Sequence, residues 1–281
     1  MQATAFRAGQ LSIETKSGTI LDRMVEARRG AVEHRKRVLP EAALRLGVLK
    51  GTPARDFSAA LARNAVNIIA ELKKASPSRG VIRQAFDPPG LAADLEASGA
   101  AALSVLTEEE HFQGSLKDLR DARKAVKLPV LRKDFIFDPW QVWETRANDA
   151  DSFLLIVAIL NDVQLRDLLE LGRGLGMEAL VEVHTSKELR RAVDAGARII
   201  GVNNRDLKTL EVRMDTSYEL VEAIPDECLA VSESGLRTSD DLKKLRDAGF
   251  DAFLIGEQLM QSPDPAAELR LLLRTGAARS A

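Results

Sequence analysis

Six charged or amide side chains occur near the C-terminal ends of short apolar runs that otherwise have the composition of buried β-strands. They are Glu71, Lys73, Lys133, Glu182, Asn203 and Glu233. A charged side chain within a strand is costly to bury unless it is paired or used in chemistry. Because this cost recurs at the same end of five separate runs, the pattern indicates one shared site. Neighbouring carboxylates and ammonium groups are suited to general acid–base catalysis.

A structural salt-bridge network at one end of the core is the alternative interpretation. The pair formed by Glu71 and Lys73 would by itself be compatible with either interpretation. The catalytic interpretation is favoured because three carboxylates, two lysines and one amide come from five different strands.

The elements that would position these side chains alternate regularly along the chain. Helical patterns separate the apolar runs, and several begin with Asp-Pro or Thr-Ser and end with Gly, which are helix start and stop signals. Eight strand–helix units favour parallel strands closed into a (β/α)₈ TIM barrel, with a doubly wound open sheet as the alternative. The strands are predicted near residues 67–73, 101–106, 129–134, 153–159, 178–183, 199–203, 228–233 and 252–256.

The barrel brings the six side chains together. The C-terminal ends of all eight strands meet at one mouth, where barrel enzymes place their active sites. Side chains alternate along a strand, so Glu71 and Lys73 share one face, and Asn203 shares a face with Arg205. We therefore expect one pocket at this mouth.

Residues 1–62 precede the first predicted strand and contain one or two helical patterns. We expect a helical extension that caps the barrel, so that residues 1–281 form a single domain with the barrel at 63–281. Interleaved glutamates favour an exposed helix face, and not a nucleic-acid contact, for the basic residues of this extension. These residues are Arg28, Arg29, Arg35, Lys36 and Arg37.

Composition limits the classes of function. The net charge is −2 and 45% of residues are hydrophobic, so neither a nucleic-acid nor a membrane partner is expected. A single cysteine excludes an intrachain disulfide. No run approaches the ~18 apolar residues of a membrane span, and the first ten residues lack the apolar core of a signal peptide, which favours a cytoplasmic location.

Serine- and glycine-containing turns follow three of the predicted strands. Ser76 lies after the first strand, Ser234-Gly235 after the seventh and Gly256-Glu257 after the eighth. Barrels often bind phosphate through backbone N–H groups in such loops, and glycine permits a close backbone approach. Each turn alone could be an ordinary connection, but together they favour a small phosphorylated ligand. Only the backbone of Glu257 is expected to help, because its carboxylate would repel phosphate.

Other motifs are assigned structural roles. The glycine-rich run at 172–176 follows a helix and precedes a strand, the reverse of a dinucleotide-binding loop. The three histidines lack metal-ligand spacing, and His184 is expected to be structural, with Cys228 in the core. Phe112 lies in a glycine-containing loop at the mouth, where it could stack on a ring-shaped substrate or pack within its loop. Both interpretations of Phe112 remain open.

Seven segments, in order, closely resemble those of the indole-3-glycerol phosphate synthase family. They are IIAELKKASPSRG, LSVLTEEEHFQGS, PVLRKDFIFDPWQV, ALVEVHT, IIGVNNRDL, VSESGL and AFLIGEQLM. The resemblance runs from about residue 18 to residue 275 and includes the N-terminal helical extension. The E-x-K-x-x-S-P-S and K-D-F segments are specific, whereas the glycine turns occur in many phosphate-binding barrels. One departure is Gln258, where the family has a serine.

The resemblance implies a reaction of tryptophan biosynthesis. The substrate would be 1-(2-carboxyphenylamino)-1-deoxyribulose 5-phosphate, which loses carbon dioxide and water as an indole ring closes. The resemblance also implies that neither a metal ion nor an organic cofactor takes part. The expected partner is this small molecule alone, and a monomeric protein is compatible with that expectation.

The resemblance also implies roles for individual residues. Lys133 matches the general acid for ring closure, Glu182 the partner carboxylate in dehydration, and Lys73 a lysine that contacts the substrate. The remaining matches are supporting polar positions at Glu71, Asn203 and Glu233, phosphate positions at Ser76, Ser234, Gly235 and Gly256, and anthranilate-side positions at Phe112 and Arg205.

Proton delivery by Lys133 would require its pKa to be drawn toward neutrality, and we expect burial and nearby Lys73 to do this. The positive charges of Lys73, Lys133 and Arg205 balance the negative charges of Glu71, Glu182 and Glu233. The substrate adds a carboxylate and a phosphate group with a charge of about −1.5 to −2. We therefore expect one glutamate to bind a proton in the complex, or helix N-termini to supply positive potential.

Two rival functions are less compatible with the sequence. The sugar isomerase one step earlier in the pathway pairs a cysteine with an aspartate, but Cys228 begins the seventh strand, at the wrong end. A catalytically inactive barrel that only binds ligand is opposed by the presence of both Lys133 and Glu182.

Overall fold

A computed structural model describes residues 20–206 and 209–274. The barrel strands are β1 Asn67–Leu72, β2 Ala102–Leu106, β3 Val130–Lys133, β4 Ser152–Ile156, β5 Glu178–Val183, β6 Ile199–Asn203, β7 Leu229–Glu233 and β8 Ala252–Ile255. The helices are α1 Ile20–Val38, α2 Glu41–Lys50, α3 Phe57–Leu61, α4 Pro88–Ala97, α5 Leu116–Ala125, α6 Pro139–Ala147, α7 Asp162–Gly174, α8 Ser186–Asp194, α9 Asp215–Val221, α10 Ser239–Ala248, α11 Glu257–Gln261 and α12 Pro265–Leu273.

The eight strands form a closed barrel in which every neighbouring pair is parallel. Each strand pairs with those before and after it in the chain, and β1 closes the sheet against β8. The predicted (β/α)₈ fold is confirmed, and the open-sheet alternative is wrong. Nearly every strand residue is buried, because the barrel interior and the surrounding helices cover both faces of the sheet.

The fourth strand is shorter than predicted. The apolar run 153–159 suggested a strand to its end, but β4 stops at Ile156 and residues Val157–Ile159 form a 3-10 turn. Ile156 is the last residue of β4 that pairs with β5, opposite Glu182. An apolar run does not distinguish a buried strand from a buried turn, because both cover the same core.

Local signals fix the helix starts around the mouth. Asp138 and Thr238 begin α6 and α10 with reciprocal capping bonds, and Thr185 accepts the backbone N–H of Glu188 in α8. These caps satisfy backbone N–H groups that would otherwise lack partners. Each helix therefore begins at a defined point just beyond a strand end, which sets the loops that surround the mouth.

Arg28, Arg35 and Lys36 of α1 are engaged with the barrel, so the expectation of an exposed basic face is wrong for them, whereas Arg37 is exposed as expected. Arg28 is 1% exposed and forms ion pairs with Asp134 and Glu109. Lys36 bonds Asp138 at 2.8 Å. The expectation rested on the glutamates within the helix. It failed because the acidic partners lie instead in distant barrel loops.

No helix within residues 20–206 and 209–274 is long and apolar enough to cross a membrane.

Candidate active site

A cavity of about 690 Å³ opens at the C-terminal mouth of the barrel. Its walls come from β1–β8 strand ends, the loops that follow them, and the first turns of α1. All twelve residues assigned to the site from the sequence line this cavity, namely Glu71, Lys73, Ser76, Phe112, Lys133, Glu182, Asn203, Arg205, Glu233, Ser234, Gly235 and Gly256.

Lys133 lies between two carboxylates at the floor of the cavity. Its Nζ is 2.5 Å from Glu233 Oε2 and 3.2 Å from Glu182 Oε2. These partners lie 100 and 49 residues further along the chain, and barrel closure brings them together. Both carboxylates are nearly inaccessible to solvent, at 1% and 2% side-chain exposure. Within the described residues, the Oε1 atom of each carboxylate is buried and has no hydrogen-bond partner.

Strand register explains why these groups meet. Asn203 is opposite Glu233 between β6 and β7, and Glu182 is opposite Gly201 between β5 and β6. A Cβ at Gly201 would come within 2.2 Å of Glu233 Oε1, so the absence of a side chain there makes room for the carboxylate. The sequence pattern IIGVN thus supplies both the space and the neighbouring amide.

The excess of carboxylates determines the protonation of the site. Burial raises the pKa of Glu233, and the negative charges of Glu182 and Glu71 raise it further. The Lys133 ammonium lowers it, and the resulting pKa is about 7. Burial also acts to raise the pKa of Glu182, but Lys133, His184 and a hydrogen bond from Asn203 lower it overall. Two lysines face three glutamates here, so the group as a whole tends to hold one additional proton. We assign that proton to Glu233.

The expected downward shift of the Lys133 pKa is wrong. Burial by itself would lower the pKa, but the charges of Glu233, Glu182 and Glu71 outweigh burial and raise it above its usual value. Lys73 pairs with Glu71 at 2.7 Å, so its positive charge is largely neutralised. Lys133 is therefore a fully protonated ammonium near neutral pH, available as a proton donor.

Glu71 and Gly256 are mutually constrained at the other side of the cavity. A Cβ at Gly256 would lie 2.2 Å from Glu71 Oε1 and 2.9 Å from Glu71 Cβ. Glycine is therefore needed for the carboxylate to reach Lys73. The backbone at the start of α11 can approach the site for the same reason.

The turn after β7 has an unusual backbone. Ser234 has φ +68° and Gly235 has φ +82°, and left-handed backbone is uncommon for a serine. A Cβ at Gly235 would meet Val212 Cγ1 at 2.6 Å, so this position has no space for a side chain. Both residues line the cavity, as expected for a loop that contacts an anion.

Glu257 engages two cations at the rim. Its carboxylate bonds Arg79 at 3.1 Å and Arg205 at 3.3 Å. This pairing offsets the negative charge that made Glu257 an unfavourable neighbour for phosphate. The neighbouring Gln258 donates to Glu268 of α12 at 2.8 Å, so its amide supports the helix packing below the loop.

Phe112 is held in a loop organised by a buried carboxylate. Glu108, 3% exposed, accepts backbone N–H groups from Glu110, His111 and Phe112. The Phe112 carbonyl in turn accepts the N–H of Ala75 in the loop after β1, at 3.2 Å. Phe112 both lines the cavity and packs against the core, so ring stacking and loop packing remain compatible with its position.

Sequence reasoning missed two groups of residues at the site. Ile20, Leu21 and Met24 of α1 supply an apolar wall of the cavity. Asp134, which follows Lys133, accepts hydrogen bonds from Thr107, Arg132 and Arg28. The K-D-F segment and the amphipathic start of α1 were the available signals. Neither signal could indicate which residues these segments contact, because the contacts join distant parts of the chain.

The motifs set aside lie away from the cavity lining. Cys228 is half-buried before β7 and donates to the Ala197 carbonyl at 3.3 Å, at the opposite end of the barrel from the mouth. Helix α7 ends at Gly174, within the glycine-rich run 172–176, as predicted for a helix stop. His184 lies behind Glu182 and does not line the cavity.

Comparison with known proteins places this arrangement in a family. A sequence model of indole-3-glycerol phosphate synthase matches residues 21–272. An indole-3-glycerol phosphate synthase of Rhodococcus opacus (strain B4) is 47% identical over 259 residues, covering 92% of this chain and 96% of that protein. One of Koribacter versatilis (strain Ellin345) is 52% identical over 222 residues, covering 78% of this chain and 85% of that protein.

Among solved structures, the N-acetylmannosamine-6-phosphate 2-epimerase of Clostridium perfringens has a TM-score of 0.57, with 17% identity over 74% of this chain and 93% of that chain. This likeness shows only the shared fold. The family model and the relatives cover nearly all of the barrel and the start of α1. The chain belongs to the indole-3-glycerol phosphate synthase family.

Proposed function

We propose that the chain converts 1-(2-carboxyphenylamino)-1-deoxyribulose 5-phosphate to indole-3-glycerol phosphate in tryptophan biosynthesis. It would act as a carboxy-lyase that closes the indole ring with loss of carbon dioxide and water. The observation that carries this proposal is the Lys133 ammonium, 2.5 Å and 3.2 Å from two buried carboxylates on the floor of the cavity.

Ring closure is assigned to Lys133. The ring carbon that bears the carboxylate attacks the sugar carbonyl carbon, and Lys133 donates a proton to the carbonyl oxygen. The amine nitrogen supplies the electron pair and becomes an iminium. Loss of carbon dioxide then returns an electron pair to the ring, which restores its aromaticity. Glu233 holds Lys133 in the cavity while keeping a proton of its own available.

Dehydration is assigned to Glu182 together with a lysine. A base must remove a proton from the sugar carbon next to nitrogen, and an acid must protonate the departing hydroxyl group. Glu182 has a lowered pKa and is anionic, so it is suited to the base. Lys133 or Lys73 is suited to the acid, because both ammonium groups border the cavity.

Anion binding is assigned to the rim of the cavity. Ser76, Ser234, Gly235 and Gly256 would hold the phosphate, chiefly through backbone N–H groups of their turns. Arg205 and Phe112 would face the anthranilate ring, with the α1 wall supplying apolar contact. Glu71 and Asn203 would orient Lys73 and Glu182, respectively.

The direct test is a fluorescence assay for the indole product, with carbon dioxide release measured in parallel. We expect both signals to appear together in the intact protein without added metal or organic cofactor. Fluorescence without stoichiometric carbon dioxide, or no turnover of this substrate, would contradict the proposal.

The ionisation of Glu233 should govern capture of the anionic substrate. Because its pKa is about 7, ionisation above that pH adds a negative charge to the cavity. We expect kcat/KM to fall as the pH rises through about 7, and Glu233→Gln to lose this dependence. The substrate phosphate titrates near pH 6 whichever protein is assayed. A difference between the two kcat/KM profiles therefore reports the ionisation of Glu233. An unchanged inflection in the variant would remove Glu233 from this role.

Substitution of Gly256 tests the geometry of the Glu71–Lys73 pair. A Gly256→Ala Cβ would collide with Glu71, so we expect kcat/KM to fall roughly 10–100-fold from misplacement of these side chains. Gly30→Ala in α1 is the matched control, because a Cβ there meets nothing within 4 Å. Equal kinetics for the two variants would show that Gly256 is not spatially constrained.

We also propose that the chain acts as a cytoplasmic monomer, as one domain, without a nucleic-acid partner. All twelve assigned site residues come from a single chain. Arg28, Arg35 and Lys36 are paired with acidic barrel residues, which leaves fewer basic groups for phosphate backbones. Light scattering of the purified protein and salt-dependent nucleic-acid binding assays test these points.

A further inference from the structure

His184 lies behind Glu182, on the side away from the substrate cavity. Its Nε2 is 3.4 Å from Glu182 Oε1, and its Nδ1 is 3.4 Å from Glu188 Oε2. The Glu188 carboxylate also accepts the backbone N–H of His184 at 2.7 Å. The imidazole is therefore placed between two carboxylates, one at the end of β5 and one in the first turn of α8.

The two oxygens of Glu182 face different partners. Oε2 lies 3.2 Å from Lys133, whereas Oε1 and His184 Nε2 are both buried and without a hydrogen bond in the described residues. Two unpaired polar atoms buried 3.4 Å apart are costly, and a protonated imidazole would satisfy both with a small rotation. A neutral imidazole with its proton on Nδ1 would satisfy Glu188 alone.

The charged groups that act most strongly on His184 are all acids. They are Glu188 of α8, Glu182 of β5 and Glu233 of β7. Burial lowers the pKa of the imidazole, but the hydrogen bond to Glu188 and these charges raise it overall. Glu182 in turn is faced by Lys133, His184 and the Asn203 amide, which together keep it ionised.

We propose that His184 is a positioning residue that holds Glu182 in place by donating from Nε2 to Oε1, while Glu188 anchors Nδ1. The chain Glu188–His184–Glu182–Lys133 extends the acid–base group beyond the cavity. This inference rests on the proposed function, since it assigns the base in dehydration a fixed orientation and charge. Lys133 approaches Glu182 from one side and the imidazolium from the other, so neither carboxylate oxygen is left to rotate away.

The kinetic test compares His184→Gln with the intact enzyme. Loss of a positive charge within 4 Å of Glu182 should raise its pKa by about one unit, because an opposite charge at this distance lowers a carboxyl pKa by 1–3 units. The acid limb of the kcat profile should move to higher pH by that amount, with KM for the substrate little changed. Near the foot of the acid limb, kcat should consequently fall about tenfold.

Two further variants separate positioning from folding. Glu188→Gln keeps an acceptor for the backbone N–H of His184 but removes the charge, so it should shift the acid limb in the same direction by a smaller amount. His34→Gln, an exposed position in α1, is the matched control and should leave the profile unchanged. An acid limb that stays in place in His184→Gln, or a KM increase without a shift, would overturn the proposal.

A spectroscopic test does not depend on turnover. Long-range ¹H–¹⁵N spectra of the three histidine rings identify the His184 signals by their loss in His184→Gln. We expect a doubly protonated ring at neutral pH, and a lower His184 pKa in Glu182→Gln. A ring that remains neutral at pH 6, or titration unaffected by Glu182→Gln, would overturn the inference even if the enzyme is active. Absence of turnover with the expected titration would count against the proposed function alone.

Discussion

Replacing Lys133 with alanine is expected to lower kcat by ~10²–10⁴-fold, the usual contribution of a positioned acid or base. Lys133 is the ammonium held at the centre of the buried carboxylates, 2.5 Å from Glu233 and 3.2 Å from Glu182. The other lysine assigned to the site, Lys73, is paired with Glu71 at 2.7 Å. It can replace Lys133 only in part, because effective proton transfer requires the donor within hydrogen-bond reach.

The measurement is kcat from indole fluorescence under saturating substrate. Lys127→Ala is the matched control, because Lys127 is an exposed lysine just before the same strand and should leave kcat unchanged. Affinity for inorganic phosphate, measured by calorimetry, should be similar in all three proteins because phosphate is assigned to the rim. Undiminished turnover in Lys133→Ala would remove this residue from ring closure, and loss of phosphate binding would indicate a collapsed site.

Replacing Arg28 with methionine is expected to reduce the free energy of unfolding by about 3 kcal/mol, the lower end of the 3–5 kcal/mol measured when one partner of a buried ion pair is removed. Arg28 is 1% exposed and Asp134 is fully buried, so the loss leaves a carboxylate without one of its cations. The lower value is expected because Arg132 and Thr107 still donate to Asp134, at 2.9 Å and 2.5 Å.

The same substitution should also disturb catalysis. Asp134 directly follows Lys133, so a shift of this carboxylate moves the strand end that holds the general acid. We expect kcat to fall with little change in KM, whereas the urea midpoint reports the loss of stability. Arg37→Met is the control, an exposed arginine on the same helix whose replacement should change stability by less than ~0.5 kcal/mol. Equal midpoints for the two variants would show that the buried pair contributes no net stability.

Combining Arg28→Met with Asp134→Asn tests whether the two residues act together. The double variant should lose less stability than the sum of the two single variants, because removing both partners eliminates the uncompensated charge. Strict additivity would mean that each residue contributes through separate contacts.

Much of the fold could be predicted because its signals are local. The alternation of apolar runs and capped helices predicts parallel strands, and seven of the eight predicted strands lie within about two residues of those observed, the usual precision of sequence-based boundaries. The exception is the run 153–159, where apolar composition continues past Ile156 into a 3-10 turn. Composition records that a segment is buried, and does not record the backbone conformation it adopts.

Much of the candidate site was predictable for a related reason. Charged residues in buried strands are costly unless they are paired or used in chemistry, so their shared position at the C-terminal ends of the strands indicates where they meet. All twelve assigned residues lie around one cavity. Their chemical roles came from the family resemblance and stay predictions until the variants above are measured.

The sequence by itself determined the barrel, its direction and the end at which the acids and lysines gather, because side-chain period and helix caps act over a few residues. Only the tertiary structure decided the partners: Lys133 with Glu233, Arg28 with Asp134 and His184 with Glu182. It also decided the charge states, including the raised pKa of Lys133 and the value of about 7 for Glu233. Ion-pair energies depend on distance and burial, and both are set only when the closed sheet brings distant segments of the chain into contact.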